Sequence, residues 1–158
     1  HTLTISANRH LAQYSNLQNQ VLPDAPQWQG MGPLAALASW HAAYQHTWQA
    51  DDWAMVTPCD VPLLPPDSVV SLMRAFTSQP NLQIAYAESA SGIHPAVFLA
   101  RVSALASVAD YLAQGQRRVR GWITQHTAQA VFFHDDAAFA NANTPEALQR
   151  LEHIFDYA

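Results

Sequence analysis

The chain has 158 residues, 49% of them apolar, with seven Lys or Arg against twelve Asp or Glu and a formal charge of −5. That length and apolar share suit one folded domain with a buried core and exclude a disordered chain. So few cationic residues argue against a protein that grips a nucleic-acid backbone by charge, so no nucleic-acid partner is expected.

No apolar run approaches the ~20 residues of a spanning helix, and no basic segment followed by an apolar stretch opens the chain. A soluble, cytoplasmic protein with no membrane partner is expected. The one cysteine, Cys59, excludes an internal disulfide and fits a reducing compartment.

Thr2-Leu3-Thr4-Ile5 alternates and predicts a strand, with Ser6 to His10 as the turn after it. Leu11 to Tyr14 suits one helical turn. Gln20-Val21-Leu22 predicts a short strand, stopped by Pro23-Asp24-Ala25-Pro26. Pro33, after Gly30-Met31-Gly32, opens a helix in its favoured first position. Leu34, Leu37, Ala38, His41 and Tyr44 share one face of it.

Trp53-Ala54-Met55-Val56 predicts a buried strand, stopped by Thr57-Pro58 and followed by Cys59-Asp60. Pro65-Pro66 lead a helix with Val69, Leu72, Met73 and Phe76 inward. Residues 83–87 and 96–99 suggest a hairpin around Ser89–Gly92. Leu105, Val108, Ala109 and Leu112 predict a helix stopped by Gly115, and Val119, Trp122 and Ile123 a further one. Ala130 to Phe133 predicts a strand. Thr144-Pro145-Glu146 has the form of a helix start, with Leu148, Leu151 and Phe155 inward. Strands alternating with helices give an α/β class with a mostly parallel sheet.

Asn8, Asp24 and Asp60 each lie in a polar turn after a strand, and the strand ends of a parallel sheet share one edge. They are expected to converge there. Asp60 is the first metal candidate, because Mg²⁺ is bound through one or two carboxylates plus substrate phosphates. A loop Asp that caps its own turn is the alternative. Asn141 and Asn143 offer neutral oxygens, although Asn143 also suits plain helix-entry chemistry beside Thr144. Arg117-Arg118-Val119-Arg120 holds three of the seven cationic residues, either an anion site or a solvated helix start.

The histidines, His41, His46 and His94 among them, have no metal-binding spacing and suit surface or structural roles. Cys59 lacks a nucleophile's neighbours, and a half-buried thiol beside Asp60 would disfavour the thiolate. No G-x-S-x-G elbow supports a serine nucleophile.

Taken in order, several segments resemble the molybdenum cofactor guanylyltransferases. They are Ser6-Ala7-Asn8-Arg9, Asp24 ahead of Gly30-Met31-Gly32-Pro33-Leu34, and Thr57-Pro58-Cys59-Asp60-Val61-Pro62. His94-Pro95, Gly115 to Trp122, and Phe139-x-Asn141-x-Asn143-Thr144-Pro145-Glu146 follow. The resemblance implies a Rossmann-like nucleotidyltransferase fold, of the nucleotide-diphospho-sugar transferase type, as one domain over residues 1–158. It implies transfer of GMP from GTP to the phosphate of molybdopterin, with pyrophosphate released and Mg²⁺ as cofactor.

By the same resemblance Asn8, Asp24 and Asp60 contact GTP, and Asp60 also holds the metal. Arg117, Arg118, Asn141 and Asn143 face the pterin side or the metal. Other cofactor-biosynthesis proteins and the recipient molybdoenzyme are the implied partners. The family's Gly-rich loop, with its Arg-Met-Gly segment and Lys, has no counterpart in this sequence. A first βα unit is therefore expected ahead of His1. A truncated, non-catalytic binder of molybdopterin or of a partner protein, and a molybdopterin cytidylyltransferase, are the alternatives.

Overall fold

Strands and helices are interspersed in the computed structural model, which describes residues 2–15, 20–144 and 149. The chain falls into two units, one of His1–Trp53 with Arg101–His126 and one of Ala54–Ala100 with Thr127–Ala158. Among the described residues no helix is long and apolar enough to cross a membrane. The helix expected to follow Thr144 lies, apart from residue 149, outside the described residues.

In the first unit β1 (Thr4–Ser6) and β2 (Gln20–Leu22) pair in parallel, Ile5 opposite Val21. Between them lies α1 (Leu11–Ser15). A 3-10 turn at Pro26–Trp28 precedes α2 (Pro33–Tyr44). Gly32, at φ +78°, takes the left-handed turn that a side chain would resist, and Pro33 supplies a preset φ for the first helical position. Leu34, Leu37 and Ala38 are buried as the spacing predicts, while His41 and Tyr44 are half-buried.

α2 packs on α4 (Val102–Leu105) and α5 (Val108–Ala113). The sequence predicted one helix through Leu105 to Leu112, and the structure breaks it at Ala106–Ser107. The Ser107 hydroxyl donates to the Ala104 carbonyl at 2.9 Å and accepts the Trp122 Nε1–H at 2.9 Å. Such local serine bonding competes with the helical ladder. Trp122, on α6 (Val119–Ile123), is thereby fully buried with its donor satisfied. Gly115 ends the segment at φ +81°.

The second unit is built on a four-stranded sheet in the order β3-β5-β4-β6. Its strands are β3 (Trp53–Val56, from Ala54 onward in this unit), β4 (Ile84–Ser89), β5 (Gly92–Arg101, to Ala100) and β6 (Ala128–Phe132). β4 runs parallel to β6 and antiparallel to β5, so the sheet is mixed and its antiparallel pair is the predicted hairpin. β3 is half-buried throughout instead of buried, in keeping with its place at the end of the strand order.

α3 (Ser68–Ser78) packs on β4 and β6 through Ser68, Leu72, Ala75 and Phe76. Val69 was expected inward and is 44% exposed. The buried face runs through Ser68, Leu72, Ala75 and Phe76, and position 69, one residue round from Ser68, falls at its margin.

The hairpin is irregular at one place. Tyr86 faces Phe98, yet the next residue, Ala87, faces His94. Pro95, Ala96 and Val97 are thus left without partners on β4. A proline has no N–H to give a ladder, and bulges re-aim the side chains beside them.

Candidate functional site

Asn8 and Asp24 follow β1 and β2, and the parallel pairing of those strands brings the two residues together. Asn8 Nδ2 donates to Asp24 Oδ2 at 2.8 Å, and the Asp24 backbone N–H donates to Asn8 Oδ1 at 2.8 Å. Asp24 is only 7% exposed, and its Oδ1 has no hydrogen-bond partner among the described residues. The next backbone N–H, of Ala25, donates at 2.8 Å to Ser39 Oγ, which itself donates to the Ala35 carbonyl at 2.7 Å. The loop is therefore fastened to α2, and one buried carboxylate oxygen is left open. An unpaired buried acceptor costs on the order of 1–3 kcal/mol, so a ligand N–H or O–H that reached it would recover that.

Asp60 belongs to the second unit, four residues beyond the end of β3. The three acidic and amide turns do not follow strands of one sheet, because β1 and β2 pair with each other and β3 joins the four-stranded sheet. The Asp60 carbonyl accepts the Ala142 N–H at 2.7 Å, which fastens the Asn141–Asn143 turn to the Asp60 loop. Asp60 is half-buried, and its carboxylate has no hydrogen bond or ion pair among the described residues. It lines a cavity of about 280 Å³ with Val61, His94, Phe139, Asn141 and the bulge residues Pro95–Val97.

Among the described residues no three His, Cys, Asp or Glu side chains cluster as a closed metal cage. One free carboxylate and one amide oxygen on the same cavity are the donor set that a Mg²⁺ ion uses when water and phosphate supply the rest.

The other predicted residues divide between the two units. Arg117 Nη1 donates to the Leu112 and Gln116 carbonyls, each at 2.7 Å, and so closes the C-terminal end of α5. Arg118 is exposed, its carbonyl accepts the Tyr111 hydroxyl at 3.3 Å, and its guanidinium has no partner among the described residues. Both arginines lie in the first unit, whereas Asn141 and Asn143 lie in the second. Asn141 lines the cavity, and Asn143 is exposed and outside that lining. Cys59 was expected half-buried, but its thiol is exposed.

One cluster escaped the sequence. Ser89, only 3% exposed, donates to Asp136 Oδ1 and lies 2.7 Å from His94 Nε2. Hydrogen bonds from Ser89, and then from Ser91, hold the Asp136 carboxyl below its ordinary range. The Ser91 N–H reaches the same oxygen at 2.9 Å. Ser89 and Asp136 are 47 residues apart, and no motif spacing connects them.

The chain is similar to known proteins over most of its length. The model of the MobA-like NTP transferase domain matches residues 1–131. A molybdenum cofactor guanylyltransferase of Neisseria meningitidis serogroup C is 36% identical over 147 residues, covering 93% of this chain and 76% of that protein. The same-named protein of Shewanella sp. strain MR-4 is 37% identical over 150 residues, covering 94% and 73%. Among solved structures, molybdopterin-guanine dinucleotide biosynthesis protein A of Archaeoglobus fulgidus superposes with a TM-score of 0.69 at 18% identity. That match covers 98% of this chain and 79% of the other, and it shows a shared fold. A fold-bearing match over most of the chain, joined to relatives above one-third identity, places this chain in the MobA-like NTP transferase family.

Proposed function

We propose that this chain transfers GMP from GTP to the terminal phosphate of molybdopterin. An acceptor phosphate oxygen attacks the α-phosphorus of GTP, the bond to the β-phosphate oxygen breaks, and pyrophosphate leaves. No side-chain nucleophile is required, in keeping with an exposed Cys59 that has no activating partner among the described residues. Nucleotidyl transfer is chiefly positioning and charge neutralisation, which fits a site with few titratable groups.

The observation that carries this reading is the Asp60 carboxylate, without a partner among the described residues, in a cavity it shares with Asn141. Asp60 is the residue suited to hold Mg²⁺, with the Asn141 amide oxygen as a second donor. When bound, such an ion supplies Lewis-acid neutralisation of phosphate charge. Asp24 offers its open Oδ1 to a donor group of the nucleotide, and Asn8 orients Asp24 instead of spending its amide on the ligand. Arg118, whose guanidinium has no partner among the described residues, is the cluster's candidate for the acceptor phosphate. Arg117 is occupied with α5 and supports the segment. Asn143 is assigned to the pterin side.

Calorimetric titration with Mg·GTP tests the reading. The complete chain is expected to bind in a Mg²⁺-dependent manner, and Asp60→Ala is expected to lose that binding. Unchanged affinity in the variant would sink the metal assignment.

A further inference from the structure

His94 lies where three independent constraints meet. The first is its hydrogen bond. The Ser89 hydroxyl has one proton, and that proton goes to Asp136 Oδ1. At 2.7 Å from His94 Nε2, Ser89 Oγ can then only accept, so the imidazole proton sits on Nε2. The Asp136 carboxylate is itself held in place by the Ser91 N–H at 2.9 Å. In its neutral form the ring would therefore carry its lone pair on Nδ1, and Nδ1 has no partner among the described residues.

The second constraint is stacking. The imidazole lies on the Phe139 ring with centroids 4.1 Å apart and planes 9° from parallel. Phe139 is 6% exposed and braced edge-on by Phe133 at 5.4 Å. The third is the backbone. His94 pairs with Ala87, directly beside the Pro95–Val97 segment that has no partners on β4 and forms part of the cavity wall. A histidine tied down by only one of these would suit a structural role. Here the tautomer and the ring plane are both set, and the one polar ring atom left over belongs to a residue lining the Asp60 cavity.

We propose that His94 is a specificity-determining residue of this cavity, its Nδ1 accepting a hydrogen bond from the N–H edge of an aminopyrimidinone ring. The cavity, about 280 Å³, lies just below the ~300–1,000 Å³ usual for small-molecule sites. Pro58, Val61, Ile93 and Val97 give it apolar walls suited to a flat heterocycle. Asn141 adds one amide that both donates and accepts, matching a ring that presents N–H groups beside a carbonyl. Guanine and pterin both contain this ring, so the inference rests on the proposed function and refines it. A fixed acceptor discriminates against rings that lack the facing donor, because the pair would be left unmade in a partly buried site.

The test uses the full chain without metal or GTP, titrated with free pterin and, separately, with guanosine. His94→Gln keeps an amide nitrogen at the Nε2 position for Ser89 and deletes the Nδ1 acceptor. It is expected to keep the thermal midpoint and lose about tenfold in affinity for one probe. Loss for pterin seats the acceptor ring in the cavity, and loss for guanosine seats the nucleotide base there. Either result upholds the role of His94. Should the variant fold poorly, ¹⁵N resonances of the wild-type imidazole still decide. They are expected to show an Nε2–H tautomer whose Nδ1 signal shifts when the bound probe is added, and Ser89→Ala is expected to mix the tautomers. Wild-type affinity for both probes in a folded His94→Gln chain overturns the proposal, as does a wild-type chain that binds neither, or an Nδ1–H tautomer. Metal-free pterin or guanosine binding is read independently of the Asp60→Ala titration, so failure of one leaves the other standing.

Discussion

Asn8 and Asp24, sixteen residues apart, exchange two hydrogen bonds of 2.8 Å, one between side chains and one from the Asp24 backbone to the Asn8 amide oxygen. The pairing holds a carboxylate that is 7% exposed and has one oxygen otherwise unsatisfied. Asn8→Ala removes both bonds and leaves the carboxylate with neither oxygen paired. Urea unfolding is expected to show a loss on the order of 1–3 kcal/mol. Mg·GTP affinity is expected to fall with it, because the open oxygen loses its aim. A variant as stable as the wild type would mean that the pairing has no energetic weight.

His126 links pH to stability in the first unit. Its Nε2 lies 3.0 Å from Ser107 Oγ, and burial lowers its pKa from 6.5. The Ser107 hydroxyl proton is engaged by the Ala104 carbonyl, so His126 serves as the donor in its neutral form. A depressed folded pKa means that this stability is fully present above pH 6.5 and is lost as pH falls through the lowered value. Urea midpoints measured on both sides of pH 6.5 are expected to drop on the acid side, and His126→Gln is expected to flatten that part of the profile. An equal slope in the variant would remove His126 as the cause.

The two neighbouring arginines are expected to behave differently. Arg117→Ala deletes charge-assisted bonds to the Leu112 and Gln116 carbonyls, and its expected effect is a stability loss of about 1–2 kcal/mol by urea unfolding. Arg118 has no such bond among the described residues. Arg118→Ala is therefore expected to leave stability near wild type, weaken molybdopterin binding and spare GTP binding. Loss of GTP affinity instead would move this cluster to the nucleotide.

How far each feature could be foreseen depends on its range along the chain. Gln20–Leu22, Pro33–Tyr44, Val119–Ile123 and the Gly115 stop are where propensity and turn chemistry put them, because those signals act between near neighbours. Val69 fits the apolar spacing yet is 44% exposed, because it sits at the margin of the face that Ser68, Leu72, Ala75 and Phe76 bury, and the spacing does not say how wide that face is. The break at Ser107 depends on Trp122 and His126, fifteen and nineteen residues away, and a spacing rule cannot see them.

The same division runs through the site. The order of the Asn8, Asp24, Asp60 and Asn141 motifs is a property of the sequence, and it was enough to indicate the family and the candidate residues. That Asn8 serves Asp24, that Arg117 is occupied with a helix end, and that Ser89, His94 and Asp136 form one cluster were decided by tertiary structure alone. Strand pairing and loop closure set those contacts. A three-residue bulge in β5 shifts the register of everything beyond it, and no local pattern of side chains records such a shift.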